Sequence, residues 1–158
     1  MITYKKGDLL KSKCDIICHQ VNCKGVMGSG IAKQIRDMYP EVYEGYKWFL
    51  DNYGDKAFGE VWCVDTSDKR IVANMFTQYD YLPRSVNHTS YAMFRQACKQ
   101  IKEHAKLAKI AKNKKDIIIG FPDHIGCGLA GGDWDIVKEI IKDEFGDLEW
   151  NVEIWNIN

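Results

Sequence analysis

Apolar positions along this chain fall into two patterns that take turns. Short, nearly continuous apolar runs at Asp15 to Val21 and Asp116 to Phe121 predict strands covered on both faces, and Ile2 to Lys5 and Asn151 to Ile157 predict two further strands. Between them the period changes to that of a helix. Ile31, Ala32, Ile35 and Met38 make one stripe over Ser29 to Tyr39, and Val42, Tyr46, Phe49 and Leu50 another over Glu41 to Tyr53. Pro40 closes the first helix and opens the second. Tyr91, Phe94, Cys98, Ile101, Ala105 and Ala108 predict a long helix over Thr89 to Ala111, and Asp133 to Phe145 reads as the last one. Glu60 to Asp65 and Arg70 to Phe76 flank the turn Thr66-Ser67-Asp68-Lys69 and read as a hairpin. Thr77 to Asn87 is aromatic, contains Pro83 and shows no period; its Tyr79-Asp80-Tyr81-Leu82 fits a lid or a packed connection equally well. Strands alternating with helices, plus one hairpin, predict an α/β fold, three layers α/β/α around a central mixed sheet.

Composition narrows the function classes. With 158 residues, 46% of them hydrophobic, the chain builds one core, and residues 1–158 are expected to form a single domain. Its 22 basic and 22 acidic side chains cancel, which argues against a non-specific nucleic-acid binder. The lysines from Lys99 to Lys115 accordingly read as a solvated helix face. No apolar stretch approaches the roughly 20 residues of a membrane span, and Met1 to Asp8 lacks a signal-peptide core, so a cytoplasmic protein is expected. Cys14, Cys18, Cys23, Cys63, Cys98 and Cys127 include no Cys-x-x-Cys pair and fit reduced thiols serving as small hydrophobes. Cys14, Cys18, His19 and Cys23 match no common zinc spacing, and no metal or cofactor is expected.

Two glycine loops supply the chemistry. Gly126-Cys127-Gly128-Leu129-Ala130-Gly131-Gly132 lies between the apolar run ending at Phe121 and the helix opening at Asp133. Such a loop lets successive N–H groups converge on an anion, and the following helix is expected to add its positive end. His19-Gln20-Val21-Asn22-Cys23-Lys24-Gly25-Val26-Met27-Gly28-Ser29-Gly30-Ile31-Ala32 repeats the arrangement earlier. Two strand–loop–helix units predict two clamps on one elongated ligand carrying phosphates and hydroxyls. Neither loop fits the Walker pattern or the dinucleotide fingerprint.

Lys6-Gly7-Asp8-Leu9, then Val21-Asn22 with Gly28-Ser29-Gly30-Ile31-Ala32, then Ile125-Gly126-Cys127-Gly128-Leu129, in that order, make the chain resemble a macrodomain, the ADP-ribose-binding fold, over nearly its whole length. His19 through Tyr43 and Asn52-Tyr53-Gly54 resemble the branch that dephosphorylates ADP-ribose 1″-phosphate; the wider branch includes hydrolases that remove ADP-ribose from glutamate or from DNA. The resemblance implies that Asp8 accepts from the adenine amino group with Leu9 beside it, that Asn22 meets the distal ribose, and that Gly28 to Ile31 and Gly126 to Ala130 wrap the diphosphate and distal phosphate. It places Trp155 or Asn156 beside the adenine. From the residues alone, Asp8 is equally a strand-end turn residue and Trp155 equally core.

For the chemistry, the resemblance puts the lysine and aspartate of the glutamate-directed hydrolases at Gln78 and Ala130, which cannot replace them. Asp133 is a possible substitute and equally an N-cap. His19, next to the Asn22 loop, is the candidate acid/base of a phosphatase, with Asn22 orienting ribose or water and His124 a second imidazole at the edge of the later loop. The expected ligand is ADP-ribose or a derivative, with nucleic acid only as an ADP-ribosylated substrate. Three readings follow: a phosphatase on ADP-ribose 1″-phosphate, a non-catalytic binder or sponge, and a hydrolase acting on ADP-ribosylated protein or nucleic acid.

Overall fold

A computed structural model describes residues 1–158. Six strands form one sheet: β1 (Ile2–Lys6), β2 (Ile16–Val21), β3 (Val61–Asp65), β4 (Ile71–Phe76), β5 (Ile118–Pro122) and β6 (Asn151–Asn156), in the order β1-β6-β5-β2-β4-β3. Every neighbouring pair is parallel except β3 with β4, the hairpin expected from the sequence, which makes the sheet mixed. The helices are α1 (Gly30–Met38), α2 (Pro40–Tyr53), α3 (Tyr91–Ala111) and α4 (Trp134–Phe145).

Strand alternation sends side chains into two cores. In β2, Ile16 and Cys18 join Phe94, Ile101, Val137 and Phe145 of α3 and α4 on one face. Ile17 and Val21 join Ile35, Val42, Tyr46 and Phe49 of α1 and α2 on the other. The sheet is therefore covered on both sides, and β2, at its centre, has no polar face. Buried Glu144 ties α4 to α3 through Arg95, Lys99 and Lys102 at 3.2, 3.3 and 2.9 Å, so part of the α3 basic face docks a helix and does not merely meet solvent.

Side chains that close an element set its edges. β2 begins at Ile16 because the Asp15 carboxylate turns back to accept the Ile118 N–H at 2.8 Å. α3 begins at Tyr91, with the Ser90 hydroxyl accepting the Met93 N–H at 3.2 Å, because the Thr89 hydroxyl is committed elsewhere, donating to the Gly126 carbonyl at 2.6 Å. Two 3-10 turns, Leu9–Lys11 and Gly54–Ala57, interrupt the expected pattern. No helix is long and apolar enough to cross a membrane.

Candidate functional site

The C-terminal ends of β1, β6, β5 and β2 open into one cleft with two chambers, at the edge of the sheet where parallel α/β folds bind ligands. The smaller chamber, about 380 Å³, is lined by Gly7, Asp8, Leu9, Trp155 and Asn156 among others. The larger, about 460 Å³, lies between the two glycine loops. Ile31, Pro122, Asp123 and His124 border both and form the waist.

In the smaller chamber, one oxygen of Asp8 accepts the Leu10 N–H at 2.9 Å and caps the 3-10 turn, which leaves Oδ2 for a ligand donor. The turn is anchored from below: the Arg70 guanidinium donates to the Ser12 carbonyl at 3.2 Å and the Leu10 carbonyl at 2.7 Å. Trp155 is half-buried and serves both roles offered by the sequence. It lines the chamber and packs on the second core, its indole N–H donating to Glu153 at 3.0 Å.

The first glycine loop ends at an open helix start. Ser29 makes no capping bond, and the N–H groups of Gly28, Ser29, Gly30, Ile31 and Ala32 have no partner within the protein although all five residues line the larger chamber. Asn22 lines it too, but its side chain shapes the loop: Oδ1 accepts from the Lys24 N–H and the Tyr46 hydroxyl, both at 2.9 Å, and Nδ2 donates to the Val26 carbonyl at 2.9 Å.

In the second loop the N–H groups of Gly128, Leu129 and Ala130 are likewise unpartnered at the chamber wall. Side chains hold the loop in place. Gln20 donates to Thr89 at 3.0 Å and to Gln78 at 3.1 Å, and accepts from Thr77 at 2.6 Å, while Thr89 donates to the Gly126 carbonyl. At Gly126, with φ +75°, a Cβ would meet Gln20 at 3.0 Å and Thr89 at 3.1 Å, and at Gly132 it would lie 2.6 Å from the Gly126 carbonyl. The left-handed backbone at Gly126 and the fixed carbonyl facing Gly132 both call for glycine. Cys127 does not line the cleft: its thiol turns back to the Ile125 carbonyl at 3.3 Å, and burial, then Asp133 and Asp123, push its pKa up to about 11.

Two expectations need correction. The helix after the second loop does not offer its start to the cleft. Asp133 caps α4 by accepting the Asp135 N–H at 2.9 Å, and neither Asp133 nor Trp134 borders a chamber. The open helix start belongs to α1. His19, in turn, is not brought into the cleft. It is 0% exposed, and its Nε2 is 2.6 Å from Oδ1 of Asn74, its register partner on β4, whose amide donates to the Trp62 carbonyl on β3. Burial pulls the His19 pKa down to about 4, against a smaller upward push from the Asn74 hydrogen bond. A neutral imidazole sealed inside the sheet has no path to a substrate proton.

The imidazole at the cleft is His124. It takes φ +60°, unusual for a residue with a side chain, in the turn after β5. Its ring stacks on Trp134 at 5.0 Å between centroids and 22° between planes, and Nδ1 lies 3.0 Å from Oδ1 of Asp123. Asp123 is held by the Asn156 amide, which donates to Oδ2 at 2.9 Å. Arg84, exposed and without an ion pair, borders the larger chamber with Gln78, Tyr81 and Ala130. Tyr81 thus puts the aromatic segment at the chamber wall. Neighbouring Tyr79 ties that segment to the first glycine loop, accepting the Cys23 N–H at 2.9 Å while Lys24 lies 4.4 Å over its ring. The sequence reading missed Arg84 and Asp123; a charged pair directly after a buried strand was the available signal for Asp123, and the aperiodic segment carried none for Arg84. No group of three or more His, Cys, Asp or Glu side chains gathers to hold a metal ion.

A profile of the Macro domain family matches residues 18–141. The chain belongs to that family. This macrodomain is 29% identical over 94% of its length to the DNA ADP-ribosyl glycohydrolase of Mycobacterium tuberculosis, of which it spans only 40%. It is 24% identical to the ADP-ribose 1″-phosphate phosphatase of Saccharomyces cerevisiae, covering 96% of this chain and 97% of the yeast protein. Among solved structures, the macrodomain of M. tuberculosis DarG superposes with a TM-score of 0.79 at 26% identity, over 98% of this macrodomain and 97% of that chain. The three-layer fold is thus that of the macrodomains, and these curated relatives are hydrolases of ADP-ribosyl compounds.

Proposed function

We propose that this macrodomain binds ADP-ribose through the two-chambered cleft and hydrolyses the phosphate monoester of ADP-ribose 1″-phosphate. The observation that carries the reading is the composition of the larger chamber. Gln78 and Ala130 both border the chamber, at about the positions where the resemblance puts the lysine and aspartate of the glutamate-directed hydrolases. That chemistry therefore lacks its amine and its carboxylate. What the chamber offers instead suits a phosphoryl group: unpartnered N–H groups of Gly28 to Ala32 and Gly128 to Ala130, and the free guanidinium of Arg84.

Adenine fits the smaller chamber, with its amino group donating to Asp8 and its ring beside Trp155. The diphosphate crosses the waist, and the distal ribose with its phosphate enters the larger chamber. There water attacks phosphorus and the bond to the anomeric oxygen breaks, the proton going to that oxygen, so ADP-ribose and inorganic phosphate leave. Phosphoryl transfer of this kind passes through a loose transition state in which positioning and charge stabilisation dominate, so a strong base is not needed. Arg84 and the loop N–H groups neutralise the equatorial oxygens; Asn22 holds the first loop in the required shape.

A second reading, binding without turnover, is favoured by one observation: the Asn22 carboxamide oxygen is taken by the Lys24 N–H and the Tyr46 hydroxyl and its amide donates to the Val26 carbonyl, so the side chain is committed mainly to shaping its own loop. Phosphate release from ADP-ribose 1″-phosphate separates the two. The phosphatase reading requires release; the binder reading requires calorimetric binding of ADP-ribose with none.

A further inference from the structure

The smaller chamber is held in shape by a residue that lines neither chamber, Arg70. Asp8 heads the 3-10 turn Leu9–Lys11, and its Oδ1 accepts the Leu10 N–H at 2.9 Å, so the direction of the free Oδ2 follows the position of the turn. Three residues cannot fix themselves, because the last carbonyls of so short a turn have no donor within it. One side of the turn is seated on β5: a Cβ at Gly120 would stand 2.6 Å from Leu9 and 2.7 Å from Cys14. Its far end depends on Arg70, the residue before β4. The Leu10 and Ser12 carbonyls accept from no backbone N–H, and the guanidinium serves both, one nitrogen donating to Ser12 at 3.2 Å and the other to Leu10 at 2.7 Å. Spanning two carbonyls takes a planar fork; a lysine ammonium is a point charge on a flexible stem.

Arg70 is itself held. Its side chain is 14% exposed, and the nitrogen that serves Leu10 lies 3.3 Å from Asp68. The buried Tyr39 hydroxyl accepts from that same nitrogen and donates to Asp68 at 2.5 Å, while the Thr66 hydroxyl takes the other Asp68 oxygen. A rigid path therefore runs from the β3–β4 hairpin turn, through Arg70, to the turn that carries Asp8.

We propose that Arg70 is a positioning residue for base selection: by bridging the Leu10 and Ser12 carbonyls it aims the Asp8 carboxylate at the amino group of an aminopurine. This rests on the ADP-ribose reading and deepens it, since Asp8 is the acceptor for the adenine amino group there. A hydrogen bond weakens steeply as its angle departs from linear, so a turn free to shift loses the contact to the base. The diphosphate and the distal sugar are held by the glycine loops and keep their contacts. The signature of Arg70 is thus a loss of discrimination between bases, and not an equal weakening of every ligand.

The test is calorimetric titration of the intact chain with two probes, ADP-ribose and the analogue whose purine carries hydrogen in place of the amino group. Wild type is expected to prefer ADP-ribose by about thirtyfold, as a hydrogen bond to a charged acceptor implies. Arg70→Lys is expected to reduce the preference to about threefold or less, chiefly by weakening ADP-ribose. Tyr39→Phe keeps the ring in the core and removes only the hydroxyl that steadies the guanidinium; it is expected to act in the same direction by a smaller factor, and it decides the matter where Arg70→Lys does not fold. Asp8→Ala is expected to abolish the preference, and adding Arg70→Lys to it is expected to change the ratio no further, because Arg70 acts through Asp8. A preference that survives in folded Arg70→Lys and Tyr39→Phe, or a wild type that binds both probes equally, overturns the positioning role and leaves the ADP-ribose reading standing. Failure of wild type to bind ADP-ribose overturns that reading, and the positioning role with it.

Discussion

His19 and His124 share a side chain and differ in almost everything that decides what it does. His19 sits in the central strand, wholly buried, hydrogen-bonded to Asn74 and held neutral by burial. His124 sits two residues beyond β5, exposed at the cleft waist, with a carboxylate at one nitrogen and an open face at the other. A histidine next to a ligand loop in sequence is thus no guide to a histidine next to the ligand. Nearness along the chain placed His19 beside Asn22, while the pleat turned it toward α1 and α2 with Ile17 and Val21.

The sharpest way to break this contrast is His19→Ala. It removes a buried ring and leaves the Asn74 carbonyl without its donor, so urea unfolding is expected to show a loss of about 3 kcal/mol. The fraction still folded is expected to bind ADP-ribose like wild type. Weakened binding with unchanged stability would place His19 at the site after all. Acid gives the same contrast without a mutation. Because the folded-state pKa of His19 is depressed to about 4, the unfolded chain takes up this proton first as pH falls below the usual histidine value of about 6.5. Stability from this group is intact above that value and is lost as pH falls toward 4, about 3 kcal/mol in all. His19→Gln is expected to flatten that part of the stability profile.

At the cleft the effects belong to function. Arg84→Ala is expected to lower kcat/KM for ADP-ribose 1″-phosphate about a hundredfold, by removing a cation from the transferring phosphoryl group. Its unfolding midpoint is expected to stay near wild type, since Arg84 is exposed and unpaired. Asp133→Ala is expected to cost about 1 kcal/mol of stability through the lost α4 cap and to leave turnover unchanged. A large loss of turnover would return Asp133 to the chemistry.

Much of the fold was legible because its signals are local. The two helical stripes either side of Pro40, the hairpin around Thr66 to Lys69 and the buried run at Asp116 to Phe121 each depend on spacing within one element. Both glycine loops were legible by residue type, since Gly25, Gly30, Gly126 and Gly131 take the positive φ that glycine adopts without strain. The facing of His19 was not legible. In a strand covered on both sides, alternation carries no polar contrast, so Ile16-Ile17-Cys18 reads alike whichever face each residue takes. The helix start that serves the cleft was also hidden, because Ser29 and Asp133 are both good N-caps by type and only the fold shows that one caps and the other does not. Arg84 lies in an aperiodic segment whose path is set by tertiary contacts such as the bond from the Cys23 N–H to the Tyr79 carbonyl.

The measurement that bears most directly on the account is incubation of the purified chain with ADP-ribose 1″-phosphate, following inorganic phosphate and ADP-ribose together, for wild type, His19→Gln and Arg84→Ala. The account predicts equimolar release of the two products by wild type and His19→Gln, and about a hundredfold slower release by Arg84→Ala. No release from a wild-type sample that binds ADP-ribose, or release abolished by His19→Gln in a folded protein, would contradict it.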